Sequence, residues 1–175
     1  MTVRYWAVDE PLAQSLILTL PGWLRQGCAA LACAELPPLV VDIVPDEAVS
    51  PGWATADSWQ MRIPSPYLRP VQMNAIWTPE SRAAAADLVA GRLLSYAAPA
   101  SAPAYPSDGA YLRDAIQMWL TERFTGSETM SFTIASLAER YGEPAIGRLL
   151  AALSTDSSLN VLATAAGVAS IADLD

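Results

Sequence analysis

Seven prolines and three tryptophans fall between residues 37 and 77, and this stretch constrains the fold more than any other feature of the chain. Proline removes a backbone donor and fixes φ, so neither a helix interior nor a central strand tolerates so many of them. Only residues 39–44, Leu-Val-Val-Asp-Ile-Val, have the composition of a short strand. We therefore predict an irregular segment over 37–77, flanked on both sides by helices.

Residues 9–36 predict a helical hairpin. Asp9 is a suitable N-cap for the first helix, which Pro21 and the following glycine are expected to end. A second helix is expected to begin at Trp23 and to stop before Pro37. Its many small residues would let another backbone approach closely.

Helical periodicity returns after the irregular segment. Thr78 is a good N-cap, and proline follows it at the first helical position, which predicts a helix over 78–96. Residues 97–107, rich in Ala, Pro and Ser, predict a mobile loop, and 108–175 predict a series of C-terminal helices closed by glycines. Residues 1–175 are thus expected to form one mainly α domain, a helical array with a short irregular or β segment.

Histidine and lysine are both absent, and all ten basic residues are arginine. Histidine-based zinc sites, Ser-His-Asp and Cys-His nucleophile systems, Schiff-base lysines and the P-loop lysine are therefore excluded. Apolar residues make up 53% of the chain, enough for a sizeable core.

Eighteen acidic residues give a net charge of −8 and a pI of about 4.4. Such a balance argues against nucleic acid and anionic membranes as partners, because both need local positive charge. The apolar stretch at 15–20 is too short to cross a bilayer, so we expect no membrane insertion and a cytoplasmic location.

Two cysteines, Cys28 and Cys33, lie five positions apart in the second predicted helix. At that spacing they are expected to point to different faces and to lie too far apart for a disulfide. We predict two small buried side chains, which suits a reducing compartment.

Residues 20–30, Leu-Pro-Gly-Trp-Leu-Arg-Gln-Gly-Cys-Ala-Ala, resemble a P-x-W-L-x-E-G-x-A segment, and the last third of the chain adds a second pattern. Both patterns are similar to those of gluzincin metallopeptidases of the peptidase MA-like kind. The residues of the second pattern are Ser131-Phe132, Leu137, Arg140-Tyr141-Gly142, Leu149-Leu150, Leu153, Ala166-Gly167-Val168 and Ile171.

This resemblance implies a helical metallopeptidase framework without its metal. In gluzincins the glutamate of that segment is the third zinc ligand, after an H-E-x-x-H motif on the preceding helix. By this resemblance, Gln26 takes the position of the glutamate. Residues 9–13 take the position of the motif and lack both histidines. Catalytic zinc needs three protein ligands. We therefore expect no metal, no cofactor and no catalytic residue, and a degenerate cleft at Glu10, Trp23 and Gln26 that binds a peptide or protein partner.

The tryptophans of the middle segment offer another binding surface. Trp53, Trp59 and Trp77 are close in sequence among the prolines, as in an aromatic groove that binds a peptide. The alternative is that these rings pack the irregular segment onto the helices.

A carboxylate-dependent hydrolase is the alternative function. Asp42, Asp46 and Glu47 follow or end the predicted strand, and carboxylates are the plentiful ionisable groups that remain. The other interpretation of this cluster is a solvated turn. The low charged fraction, 16%, also leaves apolar helical surface on which two copies of the chain would associate as a homo-oligomer.

Overall fold

A four-stranded sheet and six helices make up the described part of the chain, which covers residues 1–33, 35–45, 51–68, 78–98 and 107–174 of a computed structural model. The mainly α class is confirmed, and the gluzincin-like arrangement stays a prediction. The elements are β1 (Thr2–Arg4), α1 (Glu10–Leu31), β2 (Val40–Val44), β3 (Gly52–Trp53), β4 (Gln60–Pro64), α2 (Pro79–Ala97), α3 (Asp108–Thr125), α4 (Phe132–Tyr141), α5 (Pro144–Ala152) and α6 (Asn160–Ala166).

The predicted hairpin over 9–36 is wrong, because α1 is one continuous helix that passes through Pro21. A proline inside a helix costs about 3 kcal/mol, since it removes one hydrogen bond and crowds the preceding turn. On the core side of α1, Leu16, Leu20 and Trp23 are almost fully buried. Each contributes about 1.5–3 kcal/mol by burial, so tertiary packing outweighs the local signal.

The C-terminus of α1 corrects the prediction for the two cysteines. The helix ends at Leu31, and Ala32 adopts a left-handed conformation with φ of 53°. Cys33 therefore lies beyond the helix and folds back, so that its backbone N–H donates to the carbonyl oxygen of Cys28 at 3.0 Å. The two residues are neighbours rather than on different faces, no disulfide joins them, and both are only partly buried.

The sheet has the order β1-β2-β4-β3, with β1, β2 and β4 parallel and β3 antiparallel to β4. The predicted strand at 39–44 is confirmed as β2, while the other three strands were not predicted. Helix α1 connects β1 to β2, which makes a β-α-β unit. Val41, Ile43, Met61 and Ile63 are buried on one face of the sheet, against the helices.

The helices after residue 78 agree with the sequence prediction. Thr78 and Ser107 cap α2 and α3 by accepting backbone N–H bonds, as helix N-caps do. Gly126 and Gly167 end α3 and α6 in the left-handed conformation. Of the predicted mobile loop at 97–107, residues 99–106 lie outside the described residues. No helix in the described ranges is both long enough and apolar enough to cross a membrane.

A buried carboxylate holds the connection between α3 and α4. Glu122 accepts the backbone N–H of Met130 at 2.8 Å and the hydroxyl hydrogen of Ser131. The side chain is only 8% exposed, and the two donors occupy both of its oxygens. The chain between these helices is therefore fixed by a side chain rather than by regular structure.

Replacing Glu122 by glutamine should lower the free energy of unfolding by about 1–3 kcal/mol, because the amide keeps the shape but has one acceptor oxygen where the carboxylate has two, so one of the two donors loses its acceptor. Chemical denaturation followed by circular dichroism measures this loss. The control is Glu128→Gln on the exposed part of the same connection, with an expected change within about 0.5 kcal/mol. Equal effects at both positions would contradict the role of Glu122.

Candidate functional site

Three aromatic side chains form a ladder between the sheet and α2. The ring of Trp53 in β3 lies 6.1 Å from that of Trp59, and Trp59 lies 5.4 Å from Tyr96 in α2, both in edge-to-face contact. Hydrogen bonds anchor the two ends, since the Trp53 indole N–H donates to the carbonyl oxygen of Leu88 at 3.3 Å and the Tyr96 hydroxyl donates to that of Glu35 at 2.7 Å. The ladder is therefore rigid.

Arg92 lies beside one end of this aromatic ladder. Its guanidinium carbon is 4.5 Å from the centre of the Trp53 ring, as in a cation–π contact. The terminal nitrogens donate to the carbonyl oxygens of Ala56 and Thr55. The side chain is 9% exposed, and its Nε–H is buried with no acceptor in the described part of the chain.

Burial lowers the pKa of the Arg92 guanidinium from its ordinary value, and the nearby carboxylate of Asp57 acts in the opposite direction. The group stays protonated at neutral pH, because arginine titrates far above it. An unpaired buried N–H of a charged group costs about 1–3 kcal/mol or more. Arg92 therefore carries a buried donor whose cost would fall if an acceptor reached it. Unlike the side chain of Asp9, that of Arg92 lines an open recess.

Trp53 and Arg92 line a recess of about 290 Å³ between the β3–β4 connection and helices α2 and α3. At its rim the side-chain amide of Gln117 donates to the carboxylate of Asp87 at 2.8 Å. Gly91 leaves space here, since a Cβ at this position would meet the Gln117 amide oxygen at 3.2 Å. The lining residues are Trp53, Ala56, Asp87, Leu88, Gly91, Arg92, Ser95 and Gln117.

The structure describes two of the three tryptophans of the predicted aromatic groove. The structure brings Trp53 and Trp59 into contact, whereas Trp77 lies outside the described residues. Sequence reasoning missed Arg92 and Tyr96, which share α2. Arg92 lies three residues after buried Val89, on the apolar side of that helix, and a charge at such a position was the available signal.

The residues of the predicted degenerate cleft are not brought together. Glu10 and Gln26 lie sixteen residues apart on the same helix, which corresponds to about 24 Å along its axis. Glu10 is exposed and Gln26 is half-buried. Trp23 is a core residue, stacked on Phe124 at 5.6 Å between ring centres.

The acidic cluster is described only at Asp42, since Asp46 and Glu47 lie outside the described residues. The Asp42 carboxylate lies 3.6 Å from the Arg4 guanidinium and accepts a hydrogen bond from the side-chain amide of Gln60. These contacts join β1, β2 and β4 across the sheet face that is turned away from Val41. Asp42 thus stabilises strand pairing.

Another carboxylate, that of Asp9, was predicted only as an N-cap. It does begin α1, but its side chain makes no capping hydrogen bond and instead accepts the hydroxyl hydrogen of Ser65. Asp9 is fully buried, and its second oxygen has no partner among the residues that the structure describes. Because the group is enclosed, it is not offered to a ligand.

A smaller concavity of about 200 Å³ lies between α4 and α6, lined mostly by apolar side chains such as Leu137, Leu162 and Leu174. It holds no buried unpaired donor among its described atoms. Within the described ranges no group of three or more Cys, Asp or Glu side chains could hold a metal ion. The recess beside Arg92 is therefore the stronger candidate for a binding site.

Comparison with known proteins adds no relative: no family model, no curated protein and no solved structure matches the chain.

Proposed function

We propose that this chain is a non-catalytic binding protein whose recess beside Trp53 and Arg92 takes a short segment of a peptide or protein partner. One observation carries this proposal: the buried Nε–H of Arg92 has no acceptor among the described residues, and the Arg92 side chain lines a recess beside the Trp53 ring. A ligand that brings an acceptor would relieve the cost of this unpaired donor. We also propose, from the resemblance of residues 20–30 to gluzincins, that the helical framework descends from a metallopeptidase that has lost its metal ligands.

The chemistry of the recess favours a peptide. Its volume of about 290 Å³ suits one or two side chains rather than a large cofactor. A backbone carbonyl matches the Arg92 donor, and the exposed Asp87 carboxylate suits a backbone N–H or a basic side chain. The net charge of −8 favours encounter with a basic partner. The Trp53 ring supplies apolar contact at low entropic cost, because its hydrogen bond to Leu88 and its contact with Trp59 already hold it in place.

Affinity selection from a random peptide display library on the folded full-length chain tests this proposal. We expect enriched peptides that bind the wild-type chain, with binding measured by fluorescence anisotropy. Arg92→Met, which keeps the length of the side chain but removes the donors, should weaken that binding by at least about 10-fold. Gly91→Ala, which adds a Cβ 3.2 Å from Gln117 and keeps the Arg92 side chain, should weaken it several-fold.

The matched control is Arg25→Met, which removes the same charge from an exposed position on α1 and should leave the affinity unchanged. Circular dichroism verifies that each variant is folded. Failure of the wild-type chain to enrich any peptide, or equal affinities for wild type and Arg92→Met, would contradict the proposal. Cleavage of a bound peptide, detected by mass spectrometry, would contradict its non-catalytic part.

No described contact favours the alternative of a carboxylate hydrolase, because the Asp42 carboxylate is already occupied by Arg4 and Gln60.

A further inference from the structure

The C-terminal turn of α1 pairs the two cysteines of the chain. The N–H of Cys33 donates to the carbonyl oxygen of Cys28, and Ala32 between them is left-handed. This is the six-to-one closure of a Schellman motif, in which the residues at the two ends of the closure are side-chain neighbours. Cys28 and Cys33 occupy these two positions.

The two thiols interact with each other. Burial, followed by hydrogen bonding to and Coulomb repulsion from Cys28, raises the pKa of Cys33 to about 12. Both cysteines remain partly exposed, so a small reagent can reach them from solvent.

The backbone spacing also suits a covalent bond. A disulfide requires Cα atoms about 4.4–6.8 Å apart. The hydrogen bond of 3.0 Å joins the nitrogen of Cys33 to the carbonyl oxygen of Cys28, and each of these atoms lies within about 2.5 Å of its own Cα. The N–Cα bond of Cys33 is about 1.5 Å and the Cα···O distance within Cys28 is about 2.4 Å, so the two Cα atoms lie at most about 6.9 Å apart. This separation permits the spacing that a disulfide requires.

We infer that Cys28 and Cys33 form a dithiol redox site, which a small-molecule disulfide of the glutathione class oxidises to an intramolecular bond at the end of α1. Two residues further on, the carbonyl oxygen of Glu35 accepts the hydroxyl hydrogen of Tyr96. The bond would therefore fix the segment that anchors one end of the aromatic ladder.

The exchange proceeds in two balanced steps. The Cys28 thiolate attacks one sulfur of oxidised glutathione, which forms a mixed disulfide and releases one glutathione thiolate. The Cys33 sulfur then attacks the Cys28 sulfur of the mixed disulfide and releases the second glutathione. Two electrons pass from the protein sulfurs to the reagent, and the two thiol protons pass to the glutathione molecules. Cys33 acts second because its raised pKa makes its thiolate scarce.

Equilibration of the folded full-length chain in glutathione buffers of rising oxidised fraction tests this inference. Free thiols are trapped by alkylation and counted by mass spectrometry. We expect the wild-type chain to lose both thiols together, with a mass lower by two hydrogens and with no retained glutathione. The oxidised chain should also unfold at a higher temperature than the reduced chain, because the bond restricts the unfolded state.

Single serine variants serve as controls. Cys33→Ser should retain glutathione on Cys28, at a level at least about 10-fold above that of the wild-type chain, because no second thiol displaces it. Cys28→Ser should show no internal bond. A stable glutathione adduct on the wild-type chain, or two alkylatable thiols in the most oxidising buffer, would overturn the inference.

Discussion

Replacing Trp23 by alanine should lower the free energy of unfolding by about 3–5 kcal/mol. The Trp23 side chain is 4% exposed, and its ring stacks on Phe124 between α1 and α3. Its indole N–H donates to the carbonyl oxygen of Phe124 at 2.7 Å. Alanine would leave a cavity between two helices and remove the donor for a buried carbonyl. Urea unfolding followed by far-UV circular dichroism measures the loss.

Two further variants separate the causes of this loss. Trp6→Ala removes an indole that is 63% exposed and should change the stability by no more than about 0.5 kcal/mol. Trp23→Phe retains the stacking and loses the hydrogen bond, with an expected cost of about 1–2 kcal/mol. Unchanged stability of Trp23→Ala would mean that this ring is not a core residue. The sequence-based placement of Trp23 in a degenerate binding cleft would then regain support.

Helix ends were predictable from the sequence because their signals are local. Thr78, the predicted N-cap of α2, accepts a hydrogen bond from a backbone N–H only three residues away. Ser107, which was not predicted as a cap, does the same for α3. Gly126 and Gly167 supply the left-handed conformation that ends a helix without a steric penalty. A few neighbouring residues decide each of these events, so the sequence carries the whole signal.

The start of the chain was not predictable in the same way. Pro21 and Gly22 are a local signal for the end of a helix. The burial of α1 against residues that are distant in sequence outweighs this signal, so the helix continues. Strand β1 has only three residues and exists because Thr2 and Arg4 pair with β2 across the whole length of α1. Three residues are too few to show the alternation of apolar and polar side chains that predicts a strand, so β1 forms only by pairing with β2.

The candidate site was predictable only in its aromatic part. Trp53 and Trp59 were conspicuous by composition, and the antiparallel pairing of β3 with β4 then determines their contact. The neighbours Arg92 and Gln117 come from two different helices, and only the packing of α2 against α3 brings them to one recess. Tertiary arrangement of this kind leaves no pattern in a single sequence.

Gly27 lies where α1 packs closely against α2 and α3, and its replacement by valine should lower the free energy of unfolding by about 3 kcal/mol. A Cβ at this position would lie 2.5 Å from Leu93 of α2 and 2.9 Å from Phe124 of α3, both of which are buried. Thermal and urea unfolding measure the effect. Gly22→Val is the matched control, because it makes the same change on the same helix, at a position where a Cβ meets nothing within 4 Å. The change in helix propensity is common to both variants, so the difference between them isolates the cost of crowding. Equal stabilities of the Gly27→Val and Gly22→Val variants would show that α1 does not pack closely on α2 and α3 at Gly27.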